Sequence, residues 1–177
     1  MSDRKARFEH TVLPHLDAAY NLARWLTRND HDAQDVVQEA ALRAYRFFDG
    51  LRGEPRPWLL AIVRNSCMTW MHVNRPADLA GFDDREIENL AADDDTPETL
   101  VLRDLDRRML NEAVAALPAP FREVLVLREL EDLSYKDIAR VAEVPIGTVM
   151  SRLSRARRLL AESLRAIANA SAAKADR

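Results

Sequence analysis

The sequence is poor in the residues on which many enzymes and secreted proteins depend. It holds one cysteine and four glycines in 177 residues. The single cysteine, Cys67, cannot form an internal disulfide, and its apolar neighbours predict a buried thiol rather than a reactive one. No GxxxxGK[ST] or GxGxxG motif is present, and with so few glycines a phosphate-cradling loop is not expected. The absences argue against a disulfide scaffold and against a nucleotide-binding enzyme.

Signatures of catalysis and of metal binding are absent as well. The four histidines, at positions 10, 15, 31 and 72, show neither HExxH nor Cys/His ligand spacing. No nucleophile elbow occurs. We therefore expect no catalytic residue, no metal site and no cofactor, and an enzyme or metal protein stays only as an alternative.

Long apolar runs are also missing. None approaches the roughly 18 apolar residues of a membrane span. The first ten residues, MSDRKARFEH, contain charges where a signal peptide has its apolar core. We expect a cytoplasmic protein with no membrane insertion of its own.

Charge divides the chain into three parts. Residues 1–75 carry 11 Lys and Arg against 9 Asp and Glu, residues 76–99 carry 1 against 9, and residues 100–177 carry 14 against 11. Two mildly basic blocks therefore flank an acidic segment in a chain of net charge -3. The segment has no sustained apolar period, which is typical of a flexible linker.

The composition favours helices, with 47% apolar residues, 31% charged residues and little glycine. Apolar residues recur every three or four positions in both blocks. Pro14 is expected to bend or delay the first helix, Asp32 to cap the second, and Pro76 to stop the third. Helices are predicted at 8–28, 32–48, 58–74, 100–117, 121–130 and 146–167. The predicted fold is all-α, with two small domains at 1–75 and 100–170, an acidic linker at 76–99 and a disordered tail at 171–177.

A short helix, a tight connector and a long helix predict a helix-turn-helix in the second domain. Ser134, followed three residues later by Asp137, predicts a capped start of the short helix, and residues 143–145 form the connector. The stretch PIGTVMSRLSRARRLL, at 145–160, then holds four arginines and no acid. On a helical wheel the predicted buried stripe consists of Ile146, Val149, Leu153, Ala156 and Leu160. The opposite arc consists of Thr148, Ser151, Arg152, Arg155 and Arg158.

The second arc suits the major groove of DNA. Arginine donates bidentately to guanine edges and phosphates, and Ser and Thr permit close approach. If the four arginines neutralise four phosphates, the salt slope of binding by this domain alone is about -3.6. The alternative interpretation is a solvated basic face on an ordinary helix.

A second mixed face lies on the predicted helix at 58–74. One arc combines cations, an amide, a hydroxyl and an aromatic ring, contributed by Trp58, Arg64, Asn65, Thr69, His72 and Arg75. Such a mixture suits single-stranded or melting nucleic acid, because cations bind phosphates and planar groups stack on unpaired bases. Taken alone, the pattern fits an ordinary amphipathic helix better.

Three stretches resemble the extracytoplasmic-function sigma factors of bacterial transcription. They are DAQDVVQEAALRAYRFF at 32–48, RPWLLAIVRNSCMTW at 56–70 and LPAPFREVLVLRELEDLSYKDIARVAEVPIGTVMSRLSRARRLL at 117–160. Together they cover more than half of the chain, in the order found in that family and with an acidic linker between them. The resemblance implies a non-enzymatic, two-domain helical protein. Its implied partners are bacterial core RNA polymerase, promoter DNA and an anti-sigma factor.

The resemblance also implies roles for particular residues. The helix at 32–48 would dock on the clamp helices of the polymerase through Asp35, Gln38, Glu39 and Arg43. The -10 element would be read, and a flipped base held, by the loop at 49–57 and by Trp58, Arg64, Asn65, Thr69, His72 and Arg75. The -35 element would be read by Thr148, Ser151, Arg152, Arg155 and Arg158. The linker would follow the active-site cleft and RNA exit path of the polymerase.

Two positions depart from the family pattern. Thr69 stands where many relatives have Asp, and Met150 stands where many have Lys or Arg, so no promoter sequence is carried over from a relative. Two alternatives therefore stay open. One is a self-sufficient regulator whose helix-turn-helix is switched by an N-terminal sensor domain, and the other is a degenerate relative that acts as an interaction scaffold.

Overall fold

The computed structural model describes residues 2–79 and 107–175, and the chain in these ranges is helical, with no strand. The predicted linker at 76–99 therefore lies outside the described residues, apart from a 3-10 turn at Pro76–Asp78 and the residue after it. In the described part of the chain, no helix has the length of apolar sequence that crossing a bilayer requires.

The N-terminal domain contains α1 Ser2–Val12, α2 Leu16–Thr27, α3 Asp30–Phe47 and α4 Pro55–Asn74. The single helix predicted at 8–28 is two helices separated by a 3-10 turn at Leu13–His15. Pro14 explains the break, because it lacks the N–H that would continue the hydrogen-bond ladder of α1. Pro55 occupies the first turn of α4, where a missing N–H costs nothing, so α4 begins earlier than predicted.

The cap of α3 differs from the prediction. The Asn29 side chain accepts hydrogen bonds from the backbone N–H groups of His31, at 2.9 Å, and Asp32, at 3.0 Å. Asp32 is thus inside the first turn, and its prediction as the cap was wrong. The extended backbone of Asn29 brings its side chain over the free N–H groups, which a residue already in helical conformation cannot do.

The core of the N-terminal domain lies between α2, α3 and α4. Its fully buried members include Leu22, Leu26, Leu59, Leu60, Val63, Cys67 and Met71. Phe8 brings α1 onto this core by edge-to-face contacts with Tyr45, at 5.1 Å between ring centroids, and with Phe48, at 5.4 Å. The buried thiol predicted for Cys67 is confirmed.

The C-terminal domain contains α5 Arg107–Ala115, α6 Ala119–Leu125, α7 Tyr135–Ala142 and α8 Ile146–Ala175. A π-helical turn at Val126–Leu130 follows α6. The part of the predicted helix at 100–117 that precedes Arg107 lies outside the described residues. The predicted end of α8 and the disordered tail were wrong as far as Ala175, because the alanine-rich sequence there continues the helix.

The two domains pack against each other. Helix α7 contacts α4, and α6 contacts α2. Side chains of both domains form one continuous set of buried apolar residues. This packing could not be read from the charge pattern, which indicated two blocks joined only by a tether.

Candidate nucleic-acid interface

The helix-turn-helix forms as predicted. The Ser134 hydroxyl oxygen accepts a hydrogen bond from the Asp137 backbone N–H at 3.1 Å and caps α7. Glu143 ends α7 in the left-handed conformation, with φ of 57°, and so turns the chain sharply into α8. The short helix α7 and the long helix α8 are consequently joined by the tight connector that the sequence predicts.

One face of α8 is buried and another meets solvent. Val149, Leu153, Ala156 and Leu160 are buried, as predicted, but Ile146 is 46% exposed. Ile146 is the first residue of α8, so no preceding turn of that helix shields it. Four of the predicted DNA-contacting residues are partly exposed: Thr148, Ser151, Arg155 and Arg158. Exposed Met150 adds an apolar group to this surface.

Arg152 departs from the predicted outward arc. It is 7% exposed, and its charge acts on the buried carboxylate of Glu123 in α6. A helical wheel places Arg152 at the edge of the apolar stripe, and attraction between its charge and the carboxylate of Glu123 favours the inward position. The outward orientation predicted for Arg152 was therefore wrong.

Arg157 is also engaged within the protein. Its Nη2 donates to Glu129 Oε1 at 2.8 Å. Of the four arginines at 145–160, Arg155 and Arg158 thus form the basic part of the solvent-facing surface. With two phosphate contacts instead of four, the salt slope expected for DNA binding by the isolated domain becomes half as steep, about -1.8.

The mixed face of α4 divides into two parts. Thr69 and His72 are exposed, and the Arg75 guanidinium lies 5.5 Å from the centre of the Trp70 ring. The Thr69 hydroxyl donates to the Asn65 backbone carbonyl at 3.1 Å, so its own helix satisfies it. Trp58 is half-buried near the start of α4.

Arg64 and Asn65, the other part of that face, point at the C-terminal domain. Arg64 Nε donates to Glu123 Oε1 at 2.5 Å, and Asn65 Nδ2 donates to Glu143 Oε1 at 3.4 Å. Near the start of α4, Arg56 Nη2 donates to Glu131 Oε2 at 2.6 Å. The carboxylates that meet this face were not found from the sequence, because glutamates in short helices and turns carry no signal of a distant partner.

Burial changes the titration of groups in this region. Burial raises the pKa of Glu123 above its ordinary value, against the attraction of Arg64 and Arg152. Burial, together with the nearby negative charge of Glu123, raises the pKa of the Cys67 thiol to about 12. Burial and repulsion by Arg28 lower the pKa of Arg122 to about 10. Cys67 is consequently a neutral thiol at physiological pH.

The residues predicted to dock on polymerase share the solvent side of α3. Asp35, Gln38 and Glu39 are exposed, and Arg43 Nη2 donates to Glu39 Oε1 at 2.5 Å. Sequence reasoning missed Leu42, which is 68% exposed in the same helix. Its spacing of four from Gln38 and seven from Asp35 is the signal that would have placed it on the predicted docking face.

No group of potential metal ligands occurs among residues 2–79 and 107–175. The polar chemistry of this surface is that of hydrogen-bond donors and cations: guanidinium groups, an amide and hydroxyls on α4 and α8. Donors of this kind bind phosphate oxygens and base edges.

Comparison with known proteins matches both halves of the chain. A family model described as Sigma-70 region 2 matches residues 11–75, and one described as Sigma-70, region 4 matches residues 107–160. The ECF RNA polymerase sigma-E factor of Haemophilus influenzae is 36% identical over 147 residues, which cover 78% of this chain and 77% of that protein. The RNA polymerase sigma-H factor of Pseudomonas aeruginosa is 34% identical over 168 residues, which cover 90% and 87%.

A solved structure is similar over nearly the whole chain. It is the sigma factor RpoE in complex with the anti-sigma factor NepR, from Bartonella quintana, with 26% identity and a TM-score of 0.68. The match covers 93% of this chain and 98% of the other. The two family matches contain the α4 face and the part of the helix-turn-helix that carries Arg155 and Arg158.

Proposed function

This chain belongs to the extracytoplasmic-function sigma factors, and we propose that its two domains recognise the -35 and -10 elements of a bacterial promoter. An alternative sigma factor of this kind directs promoter-specific transcription initiation and is not an enzyme. The proposed units are the domain at 1–75 as region 2 and the domain at 100–170 as region 4.

The observation that carries the proposal is the helix-turn-helix of α7 and α8. Its capped first helix and left-handed turn hold α8 by one buried face, and Thr148, Ser151, Arg155 and Arg158 lie on the solvent side. The first turns of such a helix enter the major groove and contact base edges. We assign the -35 contacts to these four residues. Arg152 is not among them, because its side chain is buried within the domain.

The N-terminal domain supplies the other two activities. The exposed side of α3, with Asp35, Gln38, Glu39 and Arg43, is polar enough to be solvated before it docks on core polymerase. Helix α4 offers donors and rings for an unwound strand, through Trp58, Arg64, Asn65, Thr69, His72 and Arg75. A pocket for an extruded base offsets part of the few kcal/mol that unstacking a base costs.

An anti-sigma factor is the third proposed partner, by analogy with the sigma factor solved with NepR. The proposed location is the cytoplasm, where the chain would meet core polymerase and chromosomal DNA. Transcription initiation requires the sigma factor, core polymerase and promoter DNA in one compartment.

Run-off transcription with purified core RNA polymerase tests the function. Genomic promoter fragments are transcribed with and without the protein, and we expect specific transcripts only when it is present. Equal transcripts in both reactions on every fragment would reject the proposal. A footprint on duplex DNA in the absence of polymerase would favour the alternative of a self-sufficient regulator.

A further inference from the structure

The N-terminal end of α8 presents an apolar surface to solvent. Ile146 is 46% exposed and Met150 is 44% exposed, and both are among the large apolar side chains that the described part of the chain leaves exposed. They are four positions apart in one helix, so their side chains are neighbours on one face. Single exposed apolar residues are ordinary, but this pair borders the surface to which the -35 contacts are assigned.

The cations of α8 lie farther along the helix. The residues at 146–151, IGTVMS, carry no charge. Arg152 is buried, and the solvent-facing arginines begin at Arg155, about two and a half turns from the start of the helix. The N-terminal residues of a recognition helix are the ones that contact base edges in the major groove. In α8 these residues therefore offer apolar groups in place of guanidinium donors.

Two small residues beside Met150 allow α8 to approach the bases closely. A Cβ atom on Gly147 would meet nothing within 4 Å beyond its chain neighbours and the backbone of its own helix. Packing within the protein therefore does not require glycine at this position. The Ser151 hydroxyl donates to the Gly147 backbone carbonyl at 2.9 Å, so its hydrogen is already used within the helix. The space over Gly147 is consequently available to DNA.

The major groove contains one apolar group that such a surface fits. Each thymine exposes its C5-methyl group there, and apolar side chains contact that group. Methionine suits the contact because its unbranched, flexible side chain fills irregular gaps. We propose that Met150, flanked by Ile146, is a specificity-determining residue that recognises the C5-methyl group of a thymine in the -35 element. This inference rests on the proposed function of α8, and it adds the base that this part of the helix selects.

Replacing thymine by deoxyuridine tests the contact, because the replacement removes the methyl group and keeps the hydrogen bonds of the base pair. A promoter fragment identified by run-off transcription carries deoxyuridine at each upstream thymine in turn. Gel shift measures its binding to holoenzyme assembled from core polymerase and this chain. At one thymine, deoxyuridine should weaken binding of the wild type about fourfold, since burial of a methyl group is lost. Holoenzyme with Met150→Ala should bind the two fragments equally.

Leu130→Ala provides the matched control. It truncates an apolar side chain of the same domain that is 52% exposed and lies in the π-helical turn after α6. Holoenzyme with this variant should keep the wild-type sensitivity to deoxyuridine.

Gly147→Ala tests the close approach of α8 to DNA. The added methyl group occupies space that DNA should fill, so the variant should bind the thymine fragment about tenfold more weakly. Urea denaturation should show no loss of stability, because alanine favours helix more than glycine does. Promoter affinity equal to that of the wild type would overturn the close approach.

Two results would overturn recognition of the methyl group. One is a wild-type holoenzyme that binds every deoxyuridine fragment as tightly as the thymine fragment, and the other is a Met150→Ala holoenzyme that keeps the sensitivity. Loss of association with core polymerase in Met150→Ala would also overturn it, by showing that the apolar pair contacts protein. If the protein directs no transcription from any fragment, the proposed function fails and this inference with it. A transcribed promoter without a methyl-sensitive thymine rejects this inference alone.

Discussion

Arg64 and Glu123 form an ion pair between the two domains, with 2.5 Å between Arg64 Nε and Glu123 Oε1 and 59 positions between the residues along the chain. Helix α4 supplies the cation and α6 the anion. The same arginine is a proposed contact for the -10 strand. The packing of the two domains and the proposed recognition of DNA therefore both use the Arg64 guanidinium.

Stability should depend on pH through Glu123. Its pKa is raised from the ordinary value of 4.5, chiefly by burial, so the folded protein holds this proton more tightly than the unfolded chain does. The stabilisation from that proton is complete below the ordinary pKa and is lost as pH rises through the folded pKa. Over this window the free energy of unfolding of the wild type should fall relative to that of Glu123→Gln, as measured by urea denaturation.

Exposed Glu162 provides the control for that experiment. Glu162→Gln removes the same charge from the same domain and should keep the wild-type pH dependence. Parallel pH profiles for the wild type and Glu123→Gln would show that Glu123 titrates alike in the folded and unfolded chains.

Replacing Arg122 by Met should lower the free energy of unfolding by about 3 kcal/mol. The substitution preserves bulk but removes the guanidinium donor from the carbonyl groups of Leu26 and Leu117, and it leaves the Ala115 carbonyl with only the donor Arg28 Nη1, at 3.4 Å. Urea denaturation followed by circular dichroism measures the loss. Arg107→Met, at an exposed position of α5, should change the stability by less than about 0.5 kcal/mol. Equal stabilities of the two variants would contradict a structural role for the buried guanidinium.

Leu42→Ala should weaken association with core RNA polymerase about tenfold, because an exposed leucine that polymerase covers contributes about 1.5 kcal/mol or more through burial of its apolar surface. Competition against a labelled sigma factor measures the affinity. Leu13→Ala removes another exposed leucine, which lies in the 3-10 turn before α2. Its polymerase affinity should match the wild type. Unchanged affinity in Leu42→Ala would place the docking surface elsewhere.

Two arginines three positions apart in α8 should respond differently to alanine substitution. Arg155→Ala should reduce protection of the upstream promoter half about tenfold in a footprint of the polymerase complex, since one base or phosphate contact is lost. It should leave polymerase association and stability intact. A loss of polymerase association would show that this face of α8 is not the reader of DNA.

Arg152→Ala should instead lower the free energy of unfolding by about 1 kcal/mol, because it removes a buried side chain whose charge attracts the carboxylate of Glu123. Chemical denaturation measures the free energy of unfolding of Arg152→Ala and of Arg155→Ala, and only the first should be destabilised. If Arg152→Ala were as stable as Arg155→Ala, the inward position of Arg152 would have no energetic role.

The sequence by itself determined the local structure. Apolar residues at helical spacing predicted most helices, and Ser134 predicted the cap of α7, because these features depend on residues within one or two turns of each other. The helix-turn-helix and the solvent positions of Arg155 and Arg158 followed from the same short-range periodicity. The predictions failed at helix ends, where neighbouring residues compete to start or continue a helix. Asn29 rather than Asp32 caps α3, and α8 continues through its alanine-rich end.

Only the tertiary structure decided which charges face each other. A helical wheel gives the angle of Arg152 but not the buried carboxylate that lies at that angle, and no spacing in the sequence links Arg64 to Glu123 or Arg56 to Glu131. Such pairs depend on how whole helices pack, and packing places residues far apart in the chain within hydrogen-bond distance. The packing of the two domains against each other is therefore a property of the folded chain that local sequence patterns do not contain.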